Sequence, residues 1–260
     1  MKVETLLSCV GQKDSSLIER ENLSQAIVLM VNQTSESDEG LISVDDYHRI
    51  IHTHTKGLSI SRNIAKENSI GDICIIADDD ERFFDNTQDK VLLAYKENPK
   101  ADIIIFKIKN LNKKYPNRKK YLKKIDIFRV SSVQITFRRR NVDDIFFDPK
   151  LGAGTENGAG EENKFLLDCL KKRKKILFIP EEIGELLPSE SSWFKGYDES
   201  YFYKRGMTTR YTFGLFISVL YAFYYVIAKR KTFNAYISPS KALKSTLKGI
   251  KENKLKRCSK

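Results

Sequence analysis

Three consecutive aspartates, Asp78, Asp79 and Asp80, follow an apolar run that reads DICIIA. Carboxylates this close repel each other, and each raises the pKa of its neighbours. A chain concentrates such charge for two ordinary reasons: an acidic turn, or a site for a hard divalent cation such as Mg²⁺ or Mn²⁺. Because the apolar run predicts a buried strand, the aspartates are expected where that strand leaves the core.

Two further segments carry residues that could bind or activate a substrate. In KGLSISRN, Arg62 lies at the start of a predicted helix, and helix N-termini and arginines both bind phosphate. In GAGTENGAGEEN, a glycine-rich loop leads into Glu161 and Glu162, and a carboxylate there could act as a general base. Both segments also have a purely structural interpretation, because capped helices and helices that begin with acids are common.

The elements that must position these residues follow from the hydrophobic pattern of the first 108 residues. Apolar runs predict strands, and the segments between them predict helices. This alternation predicts an α/β fold with a mostly parallel sheet, and ligands bind such sheets beyond the carboxyl ends of the strands. The predicted strands are VETLLSCV (3–10), AIVLMVN (26–32), HRIIHTH, DICIIA and DIIIFKI, and the predicted helices are 15–21, KGLSISRNIAKENSIGD and TQDKVLLAYKENPKA.

The pattern predicts further detail in one helix and in the second half. Ser59 or Ser61 is expected to cap the helix that contains Arg62, and Gly71 is expected to end it. After residue 108 the chain becomes basic and irregular. There IDIFRV and VQITFRRR predict strands, EENKFLLDCLKKRKK predicts a helix and ILFIP predicts a last strand.

The order of these segments resembles that of a known family. KGLSISRNIAKENSIGDICIIADDDE and the later GAGEENKFLLDCLKKRKKILFIPE are similar to motifs of the family 2 glycosyltransferases with the GT-A fold. The resemblance covers about residues 3–205, and SSWFKGYDESYFYKRG (191–206) resembles a segment of capsule and exopolysaccharide members. It implies an α/β fold of GT-A type, which is Rossmann-like, with a mostly parallel central sheet and a mixed C-terminal half.

The resemblance implies a role for each aspartate. Asp78 and Asp80 match the ends of the family's DxD motif. Asp80 corresponds to the residue that meets a metal, Mn²⁺ or Mg²⁺, with help from Asp78. Asp78 also corresponds to the residue at the ribose or nucleotide, and Asp79 shares either role. A metal–diphosphate site would explain the concentration of charge.

The resemblance also implies a nucleotide site. Arg62 and Asn63 match the Arg-Asn pair near the nucleotide. The ends of the first two strands, around Gln12 and at Asn32, correspond to the wall that binds the base. This wall departs from the family's usual Pro-x-Tyr-Asn and Asp-Asp-Gly-Ser patterns, so the identity of the base stays open.

A candidate catalytic base follows the glycine-rich loop. Glu162 falls where the family's catalytic aspartate stands, and Glu161 lies beside it. Replacing aspartate by glutamate moves the carboxylate by one methylene. The resemblance therefore leaves open which of the two glutamates acts and whether the enzyme inverts.

The function implied is metal-dependent, inverting transfer from a nucleotide-diphosphate sugar to a glycan or lipid-linked oligosaccharide acceptor in surface polysaccharide biosynthesis. The enzyme would be of hexosyltransferase type, with a UDP-sugar as the expected donor. One alternative is a member of the same fold that binds a sugar nucleotide or a partner without turnover. A nucleic-acid-binding protein, suggested by the net charge of +12, would show a basic stripe with interleaved aromatics, and none is present in the sequence.

The C-terminal part combines apolar and basic residues. Residues 211–228, YTFGLFISVLYAFYYVIA, contain no charge, and Lys229, Arg230 and Lys231 follow them. As one helix they would measure roughly 27 Å, which is marginal for crossing a bilayer. We expect either a buried or docking helix, through which the chain could form homo-oligomers, or a helix in the cytoplasmic leaflet. The expected division is a glycosyltransferase domain (1–205, with halves 1–108 and 109–205), an aromatic helix (206–232) and a basic tail (233–260).

The remaining residue types indicate the compartment and few other sites. Four cysteines lie far apart without a CxxC pair, which favours a reducing, cytosolic location. The N-terminal apolar run is too short for a signal peptide. The aromatic stretch and the basic tail lead us to expect a cytoplasmic protein peripheral to the inner face of the cell membrane. His48, His52 and His54 are interpreted as structural or surface residues, and Trp193 either stacks on an acceptor sugar or is buried.

Overall fold

The computed structural model describes residues 1–111, 113, 115–155, 157–188, 194 and 196–253. The chain divides into two compact units. The first comprises Met1–Asp148 and Glu162–Glu190, and the second comprises Pro149–Glu161 and Ser191–Lys260.

Within the described residues, one mixed sheet of ten strands forms the centre of the first unit. The strand order is β3-β4-β2-β1-β5-β9-β7-β10-β6, and β8 pairs with β10. The strands are β1 (Val3–Val10), β2 (Ile27–Gln33), β3 (Gly40–Ser43), β4 (His48–Thr53), β5 (Ile73–Asp78), β6 (Glu81–Phe83), β7 (Ile103–Lys109), β8 (Lys120–Tyr121), β9 (Ile135–Arg138) and β10 (Ile176–Leu186).

Four helices accompany this sheet in the sequence: α1 (Ser16–Arg20), α2 (Leu58–Glu67), α3 (Thr87–Glu97) and α4 (Glu161–Lys171). The apolar strands β1, β5 and β7 are almost entirely buried, as their continuous apolar sequences predict. The observed fold thus confirms the predicted α/β class with a central sheet of mixed direction.

Strand direction decides which residues meet at the edge of the sheet. β1 runs parallel to β2 and β5, and β2 runs parallel to β4, so their carboxyl ends share one edge. Ser8 pairs with Asp78 there, and Asn32 pairs with Cys9 on one side and His52 on the other. Because β9 is antiparallel to β5 and β7, its beginning lies at the edge where those two strands end.

The α2 helix differs from the prediction at both ends. Its N-cap is Gly57 without a side-chain cap, and it ends at Glu67 with Asn68 as C-cap, well before Gly71. Ser59 and Ser61 lie inside the helix and are buried. The hydroxyl of Ser61 donates to that of Ser8 at 3.0 Å, so this serine is used in packing against β1.

Other local predictions are wrong because tertiary pairing overrides short apolar patterns. IDIFRV contains a 3₁₀ turn, Ile127–Arg129, instead of a strand. A second 3₁₀ turn, Ser132–Gln134, precedes β9, and the predicted last strand ILFIP extends through Leu186 as β10. The exposed edge strand β3 was not predicted, since its sequence is short and follows a polar loop.

The described part of the second unit is helical. It contains α5 (Glu199–Phe213), α6 (Leu215–Ala228), α7 (Arg230–Phe233) and α8 (Pro239–Glu252). Residues 211–228 therefore do not form one helix, because Gly214 adopts φ 86° and separates α5 from α6. The residues predicted as a basic tail include α8. No helix of the described chain is long and apolar enough to cross a membrane.

Two glycines allow α5 and α8 to touch backbone to backbone. A Cβ atom on Gly206 would lie 2.1 Å from the carbonyl oxygen of Thr246, and one on Gly249 would lie 2.0 Å from that of Tyr203. These distances are far below any contact that carbon and oxygen tolerate, and the obstacle is backbone that cannot swing aside. The absence of side chains at these two positions therefore sets the separation of the two helices.

We expect Gly206→Ala to destabilise the second unit by about 1–3 kcal/mol, because overpacking must force the helices apart. At an ordinary helical glycine the same substitution has the opposite effect on stability, since alanine stabilises a helix by about 1 kcal/mol relative to glycine. Chemical denaturation followed by circular dichroism measures the difference. Lys244→Ala, at an exposed position of α8, is the control and should be nearly neutral. A stabilised Gly206→Ala protein would contradict the close crossing.

Candidate functional site

A buried ion pair joins the first aspartate to α2. Asp78 is the last residue of β5, and Nη2 of Arg62 donates to its two carboxylate oxygens at 2.6 and 2.8 Å. The Arg62 side chain is 1% exposed, whereas that of Asp78 is 20% exposed. Arg62 therefore lies behind Asp78 and orients a carboxylate that solvent can reach. Its predicted contact with a nucleotide stays a prediction.

Ser132 supplies a second donor to the same carboxylate. Its hydroxyl donates to Oδ2 of Asp78 at 3.1 Å. Ser132 begins the 3₁₀ turn before β9, which the antiparallel pairing with β5 brings to this edge. Sequence analysis did not single out this residue, because a serine pair before a strand has no distinctive pattern.

The turn formed by the next two aspartates is fixed through its backbone. The Asp78 amide donates to Oε1 of Glu81 at 3.1 Å, and Arg20 donates to the carbonyl of Asp79 at 3.1 Å. The carbonyl of Asp80 accepts from the amide of Leu187 at 2.8 Å. Partial burial and the charges of Asp78 and Asp80 raise the pKa of Asp79. Three hydrogen bonds to the backbone of residues 78–80 therefore fix the turn that carries these carboxylates.

Two more acids lie buried near this turn. Glu81 is 1% exposed, and burial raises its pKa well above the ordinary value. Glu21 is fully buried next to α1, and burial raises its pKa to about 7, with Asp79 and Asp80 adding to the effect. A raised pKa keeps a carboxyl group protonated to higher pH, so the negative charge that could bind a cation here comes from the aspartates of the turn. No sequence pattern indicated that Glu21 would join the cluster.

Asn63 connects α2 to a distant loop. Its amide nitrogen donates to the carbonyl of Phe147 at 2.8 Å, and its amide oxygen accepts from the amide of Phe147 at 2.8 Å. The Phe147 ring lies 5.6 Å from the guanidinium carbon of Arg62 and stacks on Phe165 of α4 with centroids 4.3 Å apart. The Asn63 side chain therefore bonds to the backbone of Phe147, and its predicted role at the nucleotide remains untested.

The candidate base lies one turn before Phe165 on α4. Glu162 is half-buried, whereas the neighbouring Glu161 is buried. The next residue, Asn163, donates to the carbonyls of Ile127 and Val130 at 3.0 and 3.3 Å. These bonds hold the first turn of α4 against the segment that leads to Ser132. The Asp78 carboxylate and the first turn of α4, which contains Glu162, are therefore bonded to the same short segment.

A lysine that the sequence analysis did not identify belongs to this group. The ammonium of Lys113 donates to the hydroxyl of Ser131. Burial lowers the pKa of Lys113 to about 8, and the charge of Glu162 acts in the opposite direction. A lone lysine in a basic, irregular segment gives no sequence signal of such a position.

Asn32 and Gln12, predicted at the wall for the base, do lie together. The Asn32 side chain is fully buried; its oxygen accepts from the Gln12 amide at 3.0 Å, and its nitrogen donates to the Gln12 carbonyl at 2.6 Å. Nδ2 of Asn32 also lies 3.3 Å from Nδ1 of His52. The structure therefore uses Asn32 to shape the loop after β1, and the side chain of Gln12 stays partly exposed there.

The other candidate residues have structural partners or lie outside the described chain. Nδ1 of His48 lies 2.7 Å from Oδ2 of Asp45, and Nε2 of His54 donates to the carbonyl of Ser37 at 2.9 Å. The described cysteines Cys9, Cys74 and Cys169 are free and buried. Trp193, predicted at an acceptor sugar or in a core, is outside the described residues. Among the residues that are described, no three His, Cys, Asp or Glu side chains could by themselves hold a metal.

The sheet and its edge define the class of protein. An α/β sheet of mixed direction, with an acidic turn after a central strand and a carboxylate at the start of a later helix, is the arrangement of a GT-A glycosyltransferase. A sequence model described as glycosyl transferase family 2 matches residues 5–149, which is more than half of the chain. The chain belongs to this family, as the motifs indicated. No curated protein matches the chain.

Solved structures with the same fold include TarS from S. aureus. TarS 1–349 in complex with UDP-GlcNAc superposes with a TM-score of 0.57 and 14% identity over 85% of this chain and 67% of that one. TarS 1–349 alone gives a TM-score of 0.54 at 14% identity over 98% of this chain and 73% of that one. The longer TarS chain gives 0.56 at 15% identity, with only 40% of it covered. Identity this low supports the common fold alone.

Proposed function

We propose that this glycosyltransferase moves a sugar from a nucleotide-diphosphate sugar to a hydroxyl of a glycan or lipid-linked acceptor, with inversion. The observation that carries the proposal is that Asp78 and the first turn of α4, which contains Glu162, are bonded to one short segment, Ile127–Ser132, at the carboxyl edge of the sheet. This arrangement supports a site in which Asp78 lies at the phosphate-binding end and Glu162 at the proton-accepting end. The UDP-GlcNAc and UDP bound to TarS support a UDP-sugar as donor.

The residues at the aspartate turn suit Mn²⁺ or Mg²⁺. Such ions take one or two carboxylates and complete their coordination with water and substrate phosphates, so two carboxylates are a sufficient protein share. Asp80, with help from Asp78, would hold the ion. When bound, the ion offsets the negative charge of the departing diphosphate.

The chain's own residues account for the remaining steps. Arg62 and Ser132 fix the direction of the Asp78 carboxylate, and the loop held by Asn32 forms the wall for the base. Glu162 accepts the proton of the acceptor hydroxyl while that oxygen bonds to the anomeric carbon. The bond from the anomeric carbon to the diphosphate oxygen breaks on the opposite face, and the nucleoside diphosphate leaves. A single displacement of this kind inverts the anomeric centre.

The accessibility of the two glutamates favours Glu162 as the base. A general base must lie within hydrogen-bonding reach of the hydroxyl that it deprotonates. Glu162 is half-buried, whereas Glu161 is buried. An acceptor can therefore approach the carboxylate of Glu162 more readily than that of Glu161. We propose that the enzyme transfers hexosyl groups in surface polysaccharide biosynthesis. The alternative is a protein of the same fold that binds a sugar nucleotide without turnover.

Asp80→Asn is expected to abolish Mn²⁺-dependent binding of UDP while leaving the fold intact. The change removes one charge at constant size, and the ion loses its main protein ligand. Isothermal titration calorimetry with UDP and Mn²⁺ measures the effect. Asp89→Asn, an exposed position on α3, makes the same chemical change away from the site and serves as control. Unchanged UDP affinity in the Asp80 variant would contradict the metal site.

Glu162→Gln is expected to depress sugar transfer by about 10²–10⁴-fold, the usual effect of losing a general base, with donor binding near normal. A panel of sugar nucleotides and glycan acceptors, with release of the nucleoside diphosphate as readout, provides the assay. Glu161→Gln is the matched control and should retain most activity. If Glu161→Gln is the crippled variant, the base is assigned to the wrong residue; if both variants are fully active, the loop is not catalytic.

We further propose that α6 places the protein on the inner face of the cytoplasmic membrane. One stripe of the helix, Ser218, Ala222 and Val226, is buried. Phe216 and Ile227 are each 76% exposed, and Leu220, Phe223 and Tyr224 are exposed as well. Lys229, Arg230 and Lys231 directly follow the helix and are also exposed. An apolar face next to basic residues complements an anionic lipid surface, to which each basic residue contributes about 1 kcal/mol.

Full-length protein is expected to co-sediment with vesicles that contain anionic lipid, and salt should weaken this only partly because the apolar contact persists. The double variant Phe216→Glu/Ile227→Glu should remain in the supernatant, while Leu41→Glu, at an exposed apolar position of the first unit, should still sediment. Light scattering provides the second readout. A double variant that binds vesicles normally but changes from oligomer to monomer would instead assign the face to a homo-oligomer contact.

A further inference from the structure

We infer that Lys113 is a positioning residue for the transfer reaction: its ammonium, held by Ser131, keeps Glu162 ionised and directed toward the acceptor. This inference rests on the proposed function of Glu162 as the base. Lys113 is half-buried, and it takes no direct part in the proposed displacement.

The hydroxyl that receives Lys113 is itself held in place. Ser131 and Gln134 form a reciprocal capping box around the 3₁₀ turn, in which Oε1 of Gln134 accepts from the amide of Ser131 at 3.0 Å. Nε2 of Gln134 donates to the carbonyl of Phe106 at 2.7 Å, which ties the turn to β7. Lys113 follows the end of β7 and therefore reaches back to a turn anchored on its own strand.

The base reaches the same turn from the other side. Asn163 donates to the carbonyl of Val130, the residue before Ser131, and Glu162 precedes Asn163 on α4. Lys113 and the first turn of α4 thus bond to adjacent residues, Ser131 and Val130, and the charge of Glu162 acts on Lys113. Ser132, the next residue, donates to Asp78, so Lys113 and Asp78 bind neighbouring hydroxyl groups of one turn.

Other charged groups around this turn are engaged elsewhere. Asp126 accepts from Lys120 at 2.6 Å, and Asp168 on α4 is paired with Lys164 and Lys171. Arg129 is exposed, and Asp78 on the far side is bound by Arg62. Within the described part of the chain, Glu162 is the charged group whose field acts on Lys113.

The electrostatic consequence has a definite sign. Burial lowers the pKa of Lys113 to about 8, so the side chain is mostly charged at neutral pH. A neighbouring cation favours the ionised form of a carboxyl group and lowers its pKa. Removing the lysine charge must therefore raise the pKa of Glu162, and the loss of activity on the acid side must begin at higher pH. By linkage, removing the charge of Glu162 must lower the pKa of Lys113 by the same amount.

Two measurements on the full chain test this pairing. The first is competitive acetylation of lysines across a pH range, read by mass spectrometry, which needs no turnover. Lys113 should titrate near pH 8, and in Glu162→Gln its midpoint should fall, on the order of one pH unit for a close, partly buried pair. Lys107, which pairs with Glu182 at 3.2 Å, is the internal control and should not shift.

The second measurement is the pH profile of kcat/KM. In Lys113→Met the acid limb should move upward by the same amount, so activity near the original midpoint falls by about tenfold per unit. Lys113→Arg, which keeps the charge, should restore most of the wild-type profile. Calorimetric binding of UDP with Mn²⁺ should be unchanged in Lys113→Met, which also shows that the variant is folded.

The outcomes separate this inference from the proposed function. If wild-type protein transfers sugar but Glu162→Gln leaves the Lys113 midpoint unchanged, or Lys113→Met keeps the wild-type profile, the inference is wrong and the function stands. If the two midpoints are coupled but no sugar nucleotide is consumed, the proposed function fails while the ion pair is real. Equal shifts in both measurements would support the inference in full.

Discussion

The buried ion pair between Arg62 and Asp78 is the interaction on which the site depends. An arginine that is 1% exposed must have a carboxylate partner, because breaking a buried pair costs about 3–5 kcal/mol. This requirement connects the end of β5 to α2. Through the Phe147 ring, which contacts Arg62 on one side and Phe165 on the other, it also connects β5 to α4. The side chains of Arg62, Phe147 and Phe165 therefore connect the Asp78 carboxylate to α4, the helix that carries the candidate base.

The reversed strand β9 makes the second connection. A wholly parallel sheet would place the beginning of this strand at the opposite edge, far from the aspartates. Because β9 is antiparallel to β5 and β7, Ser131 and Ser132 enter at the edge where Asp78 leaves. The two serines then take different partners, Lys113 and Asp78. The mixed sheet therefore decides which hydroxyl groups bond to Lys113 and Asp78.

The sequence predicted the strands of the core closely and the irregular elements poorly. VETLLSCV coincides with β1, because continuous apolar residues of this length suit a buried parallel strand. IDIFRV has a similar composition but contains a 3₁₀ turn, whose Ile127 carbonyl accepts a hydrogen bond from Asn163 of α4. Likewise, Asn63 and Asn32 were expected at the nucleotide, and both amides are found on backbone far away in the sequence. The residue type indicated a polar side chain at each of these two positions, but it did not indicate the group to which that side chain bonds.

The sequence by itself determined what depends on neighbouring residues: the apolar strands, the concentration of carboxylates after β5, and the motifs that place the chain in glycosyl transferase family 2. Only the tertiary structure decided which groups face one another and how deeply they are buried. Burial lowers the pKa of Lys113, and the charge of Glu162, a residue distant in the chain, partly offsets this effect. Burial and long-range electrostatics arise only when the folded chain excludes water from around these groups. No local pattern of residues encodes them.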